Sequence, residues 1–268
     1  MNWLDHFQLR NPPFSKEIAD EDLFLPDSKA TLVDELFEAL QEHTPVILLT
    51  ADAGLGKTCV LRALRHRLGE GPIRLTYCHN ATLGRRDFYR QLCQALGLAP
   101  KATAAAVFHT LSNHVQELGR EHIHPVFLLD EAHLLHQDVL DHLHILSNYE
   151  WDARALMTLV LVGLPELSDQ LRLRRNRALY TWIHCRKHIG DPLPADTNEY
   201  ITHRLRLAGR DSHDLFTQDA LALLHEASSG RLRDIDRIAT EALKRAARNG
   251  LQLIDRPTIA AIAAEQQR

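Results

Sequence analysis

Residues 46 to 58 read VILLTADAGLGKT, and no other stretch constrains the fold of this chain as strongly. An apolar run passes at once into a turn of small residues that closes on Gly56, Lys57 and Thr58. A short apolar run bounded by turn residues reads as a buried strand, and Val60, Leu61, Leu64 and Leu68 at helical spacing read as the buried face of a following helix. The turn between them fits a small residue, four others, then Gly-Lys-Thr, a pattern in which successive backbone N–H groups wrap a triphosphate. Ala51, Asp52, Ala53, Gly54, Leu55, Gly56, Lys57, Thr58 and Cys59 are therefore candidate ATP-binding residues, with Ala51 where the pattern usually has its first glycine. Lys57 is suited to the β- and γ-phosphates and Thr58 to Mg²⁺, while the helix that opens there points its positive end at the anion.

The fold class follows from repetition of that strand signal. VILLT, IRLTYC (73–78), VFLLD (126–130) and MTLVLVG (157–163) are short apolar runs with amphipathic helical patterns between them. This alternation predicts an α/β fold with a parallel sheet and crossover helices. An irregular Pro-containing arm precedes a helix from about Thr31 that carries Leu32, Val33, Leu36, Phe37 and Leu40 at helical spacing. After about Pro192 the reading is helical throughout: one helix opened by Asp196 with Glu199, one from Thr217 to a stop at Gly230, one ending at Asn249-Gly250. The expected organisation is an arm over 1–30, an α/β core over 31–192 and a helical lid over 193–268.

A second motif points to hydrolysis. VFLLDEAH is an apolar strand ending in adjacent carboxylates. Asp130 is placed to hold Mg²⁺ through its outer coordination shell, and Glu131 to orient and deprotonate a water that attacks the γ-phosphate, a role that a hydrolase needs and a kinase does not. In SSGRLRD (228–234), Arg233 falls at a helix start from which it can fold back onto phosphates. The segment RLRRNRALYTWIHCRK (172–187) holds six Lys/Arg and no acid, and suits an arginine finger, a DNA backbone contact or a solvated face. His133, His136, His142 and His144 cluster in sequence, but no cysteine or carboxylate set completes a metal shell, and 142 and 144 fall on different helix faces.

Composition narrows the setting. No window of about 18 apolar residues exists for a membrane span, and MNWLDHFQLR has charges where a signal peptide needs an apolar run, so the expected location is the cytoplasm with no membrane partner. Cys59, Cys78, Cys93 and Cys185 form no CxxC pair and read as small core residues. Residues 1–170 hold 14 Lys/Arg against 23 Asp/Glu, and 171–268 hold 17 against 12, so a basic half follows an acidic one. A basic half can meet phosphate backbones, as can a solvated helix face carry the same count.

Taken together, ADAGLGKT, VFLLDEAH, the downstream arginine-rich stretch and SGRLRD resemble the Walker A, Walker B, arginine-finger and sensor-2 features of AAA+ ATPases. FQLRNPPF, LLDEAHLL, and LVGLPEL followed by LRLRRNR look more narrowly like the ExeA-type ATPases and transposon-encoded regulators of the TniB, TnsC and MuB kind. The resemblance spans about residues 4 to 265. It implies a P-loop NTPase (AAA+) core with an α-helical lid, ATP and Mg²⁺ as ligands, a homo-oligomeric ring or filament, and Arg233 reporting ATP to the lid. Gly163-Leu164-Pro165 stand where relatives carry a polar sensor after the fourth strand, and Trp182-Ile183 where they place Arg-Ile before the last strand. The finger is then left to Arg174, Arg175, Arg177 or Arg186, with Arg177 counted in the catalytic set; Asn80 matches a place that can restrain the glutamate. ExeA-type proteins continue into a membrane span and a wall-binding module, and this sequence stops soon after its lid. The expectation is therefore a regulator that assembles on duplex DNA and recruits or activates a transposase. The alternatives are a soluble ATPase that assembles or remodels a protein complex, and a nucleotide switch with little turnover.

Overall fold

A computed structural model describes residues 2–78, 82–99, 103–146, 155–210 and 215–266. The elements run α1 (Trp3–His6), α2 (Asp27–Gln41), β1 (Val46–Ala51), α3 (Lys57–Leu68), β2 (Ile73–Cys78), α4 (Arg85–Ala95), α5 (Ala104–Arg120), β3 (His124–Leu129), α6 (Gln137–Leu146), β4 (Thr158–Gly163), α7 (Glu166–Arg172), α8 (Arg177–Trp182), β5 (Ile183–Ile189), α9 (Pro194–Leu207), α10 (Gln218–Ser228), α11 (Leu232–Arg248) and α12 (Arg256–Gln266). Two compact units divide them: Ser28–Asp52 with Val60–Ile189, and Met1–Asp27 with Ala53–Cys59 and Gly190–Arg268.

The first unit holds a parallel five-stranded sheet in the order β2-β3-β4-β1-β5. Every residue of β1, β3 and β4 is buried, which is why these three strands read as unbroken apolar runs. The fifth strand, IHCRKHI, lies inside the basic segment. At the sheet edge it buries only Ile183 and Ile189 fully, so charged residues alternate along it without cost. Lys187 leaves that edge to meet Glu35 of α2 at 2.9 Å. α2 itself starts at Asp27, four residues before the expected Thr31, with the Asp27 carboxylate suited to the positive end of the helix. Its Leu32, Val33, Leu36 and Leu40 are buried and Phe37 only partly so. Cys78 and Cys93 are core residues as expected, whereas Cys59 and Cys185 are half-buried.

Strand order fixes where a ligand can sit. The connection from β1 runs to β2 on one side, and that from β4 runs past β1 to β5 on the other. In open parallel sheets, ligands gather at the carboxyl ends where neighbouring strands diverge in this way. Leu48, Leu161 and Leu129 are in register across β1, β4 and β3; the chain leaves β3 at that level, while β4 continues to Gly163 and β1 to Ala51.

The second unit is helical. Phe7, Leu9 and Phe14 of the arm pack with Tyr200, Ile201, Leu205, Leu224, Ile235 and Leu243 into one core, so the arm belongs to the helical unit. Arg204 secures it: its guanidinium donates to the Pro13 carbonyl at 2.6 Å and to the Ser15 carbonyl. Arg210 donates to the Phe7 carbonyl at 2.8 Å. α9 begins at Pro194 rather than at Asp196; Asp196 sits one turn in and accepts from the Leu193 N–H at 2.8 Å. Thr217 caps α10 through the Ala220 N–H at 3.1 Å, and Ser229 and Gly230 end that helix with positive φ.

Candidate active site

The loop after β1 is built around two glycines. Gly54 and Gly56 have φ of +84° and +95°, a region where a side chain is strained, and they reverse the chain before Lys57 and Thr58 open α3. Ala51 raises no difficulty, because β1 persists through it: Ala51 is buried and paired with Ile189 of β5. The usual first glycine is not needed where the backbone is still strand. Asp52, Ala53 and Thr58 are exposed, Leu55 is buried and anchors the loop, and Lys57 and Cys59 are half-buried. Two positive-φ glycines followed by the first turn of a twelve-residue helix leave N–H donors without intrahelical partners. That arrangement fits a triphosphate.

Within the helical unit the loop is gripped from the lid. The Leu232 N–H donates to the Gly54 carbonyl at 3.1 Å. A Cβ on Gly54 would lie 3.3 Å from Cβ of Arg231. Arg233 stands in the first turn of α11, exposed, as the sequence predicts, but the arginine whose stem covers Gly54 is Arg231, which sequence reasoning missed. The SGRLRD phrase was the available signal, and it does not say which of its arginines faces the loop.

The acidic pair sits at the end of β3. The Asp130 N–H donates to the Cys78 carbonyl at 3.2 Å, continuing the ladder one step beyond β2. Oδ1 of Asp130 accepts the Glu131 N–H at 2.9 Å, and Oδ2 accepts the Tyr77 hydroxyl at 2.7 Å. Burial, and then the bond to Asp130, raise the Tyr77 phenol above its usual pKa, so it remains a donor throughout the physiological range. Tyr77 was not foreseen; its signal is its place one residue from the end of the strand beside β3, opposite Leu128.

Glu131 has φ +53° and ψ +36°, a left-handed conformation uncommon for a non-glycine residue. It starts a 3-10 turn, Ala132–Leu134, and leaves its carboxylate half exposed. Such strain costs on the order of 1 kcal/mol and persists where the surroundings hold the residue. His133 of that turn lies with Nδ1 3.5 Å from Oε2 of Glu131. Of the other histidines, His136 meets Asp138 at 2.7 Å and His142 meets Arg85. No cluster suited to a metal occurs among the described residues.

The arginine candidates separate. Arg186 donates to the Tyr180 carbonyl at 2.9 Å and lies over the Tyr180 ring, so it is engaged within its own unit. Arg174, Arg175 and Arg177 are exposed, with no carboxylate partner among the described residues. Buried Asn176 between them fixes the turn, donating to the Gln170 carbonyl at 2.8 Å and accepting from Gln137 at 2.5 Å. Asn80 lies outside the described residues.

A family model described as an AAA domain matches residues 28–171. The chain belongs to the AAA domain family. This AAA protein is 32% identical over 239 residues to general secretion pathway protein A of Aeromonas hydrophila, across 88% of its own length. It spans 43% of that relative. Among solved structures, Cdc6p of Pyrobaculum aerophilum superposes with a TM-score of 0.68 at 16% identity, over 88% of this chain and 68% of that one. The Aeropyrum pernix ORC1 protein, solved in complex with DNA, gives 0.66 at 18%, over 91% of this chain and 66% of that one. These likenesses carry the fold, that of a P-loop NTPase, and membership of the AAA family supports ATPase activity in general. Among the described residues no helix is long and apolar enough to cross a membrane.

Proposed function

We propose that this AAA protein binds ATP with Mg²⁺ and hydrolyses it to ADP and phosphate. The observation that carries the reading is the end of β3, where Asp130 is held by two donors and Glu131 is turned outward in a left-handed conformation. Lys57 and the N–H groups from Ala51 to Cys59 hold the phosphates, Thr58 and Asp130 hold Mg²⁺, and Glu131 takes a proton from water. Bound Mg²⁺ supplies neutralising charge on the phosphates. Arg233 and Arg231 tie the lid to the nucleotide state. Arg177, with Arg174 and Arg175 beside it, is the finger offered to the next subunit of a ring or filament, since Arg186 is already engaged.

The process served is the assembly or remodelling of a protein complex in the cytoplasm, and the support is the 32% identity to a general secretion pathway protein. A second reading, a regulator that binds duplex DNA and recruits a transposase, is favoured by one observation: three exposed arginines on an Asn176-anchored turn in the basic half of the chain. Fluorescence anisotropy of a labelled duplex, titrated with protein in ATP analogue, ADP or no nucleotide at two salt concentrations, separates the two. Binding with the analogue alone, weakened by salt, supports the DNA reading. No binding in any state leaves complex assembly.

A further inference from the structure

We propose that His133 is a positioning residue for the hydrolytic reaction, fixing Glu131 against the end of β4. The inference rests on the reading of Glu131 as the base. His133 lies in a histidine-rich segment, yet its surroundings differ from those of its neighbours. Its side chain is 16% exposed, against 67% for His136 in the same segment, so the ring is lodged rather than solvated. Nδ1 lies 3.5 Å from Oε2 of Glu131 and 3.4 Å from the backbone nitrogen of Leu164, which donates to it.

The same edge of the ring bears on a glycine that backbone geometry does not explain. Gly163, the last residue of β4, has no positive φ, so its conformation is open to any residue. A Cβ there would come within 3.3 Å of Nδ1 of His133, 3.2 Å of the His133 backbone nitrogen and 3.0 Å of Leu167. Gly163 is small so that Leu167 and His133, backbone and ring alike, can lie against the strand end.

One ring nitrogen faces two partners with opposite demands. The Leu164 N–H needs the Nδ1 lone pair; the Glu131 carboxylate needs a proton on Nδ1. A neutral imidazole satisfies one at a time. With the proton on Nε2 the ring is tied to β4 and Glu131 is free to accept a proton from water. With the proton on Nδ1 the ring holds the carboxylate in place. Among the described residues no side-chain hydrogen bond reaches the Glu131 carboxylate, and its left-handed backbone gives it little local support. His133, with Nδ1 3.5 Å from Oε2 of Glu131, is the side chain that stands between that carboxylate and the end of β4.

The test compares steady-state hydrolysis and ATP-analogue affinity for wild type, His133→Ala, His133→Asn, Gly163→Ala and, as control, Glu131→Gln. Asparagine places an amide near the position of Nδ1 and can present either a donor or an acceptor. The expected result is a kcat lowered about tenfold or more in His133→Ala with analogue affinity held within about twofold, partial recovery in His133→Asn, and a kcat loss in Gly163→Ala as the ring is pushed aside. A His133→Ala kcat near wild type, while Glu131→Gln stalls, overturns the role of His133 and leaves Glu131 standing. Equal loss of affinity, thermal stability and kcat in both His133 variants makes the ring a packing element and also overturns it. Normal turnover in Glu131→Gln overturns this inference together with the reading on which it rests.

Discussion

The two ends of the same parallel sheet handle polar groups in opposite ways. At the amino end, His124 is 5% exposed, its Nε2 lies 2.8 Å from the Thr158 hydroxyl, and that hydroxyl donates to the Thr44 carbonyl at 2.8 Å. His43 stacks on the His124 ring at 4.1 Å, nearly parallel. The His124 ring, the Thr158 hydroxyl and the Thr44 carbonyl there form one fixed chain. At the carboxyl end, Glu131 is half exposed and Tyr77 is 53% exposed, and both stand beside Asp130, whose oxygens accept the Glu131 N–H and the Tyr77 hydroxyl. Positive φ occurs at both ends and so is not by itself a sign of function. His43 and His122 take it just after α2 and α5, as residues ending a helix commonly do. Glu131 takes it after a strand, where no helix end requires it. The difference teaches that the two ends use their polar groups differently: at the amino end they tie the sheet together, and at the carboxyl end Asp130 is held by two donors while the Glu131 carboxylate is turned outward.

If the carboxyl end is the working end, the largest loss follows removal of Lys57. Lys57→Ala should weaken ATP-analogue binding on the order of a thousandfold, about 4 kcal/mol, since the triphosphate is left without its cation. Titration with a fluorescent analogue checks this, and wild-type affinity would remove the phosphate-loop assignment.

The amino end should instead report in stability. Burial, then the neighbouring His43, lower the His124 pKa to about 4. Unfolded histidine protonates near 6.5, so the contribution is full above that pH and is lost as pH falls from 6.5 towards 4, by roughly 3 kcal/mol. Urea midpoints across that range should fall in wild type and stay flatter in His124→Gln. An unchanged acid slope in that variant would show that His124 is not the group that resists protonation.

Smaller effects sharpen the contrast. Tyr77→Phe removes one donor to Asp130 and should raise the Mg²⁺ requirement for turnover about fivefold, near 1 kcal/mol, with little change in thermal stability. Gly54→Ala adds a Cβ at φ +84° that lies 3.3 Å from Arg231, and should destabilise the chain by about 1 kcal/mol in a denaturant titration.

Much of this was legible in the residues. The three central strands and the loop between β1 and α3 could be read because full burial demands apolar runs and because a phosphate turn demands Gly, Lys and Thr at fixed spacing. β5 was hidden among arginines and histidines because an edge strand needs so little apolar surface; only the family pattern after Trp182-Ile183 pointed to it. The arm read as a separate segment, yet its Phe7 and Phe14 complete the helical core, a pairing across some two hundred residues that local pattern cannot show. Tyr77 and Arg231 were not picked out, and His133 was read only as one of a run of histidines, because each meets a group brought by another element, Asp130, Gly54 and the Leu164 N–H, and spacing along the chain carries no trace of that.

The most direct test of the account is phosphate release from Mg²⁺-ATP by wild type and Glu131→Gln side by side at saturating nucleotide. The account predicts measurable turnover in wild type and a rate lower by roughly a hundredfold or more in the variant, with ATP still bound. Equal rates in the two proteins, or no release by wild type above the no-protein control, would contradict it.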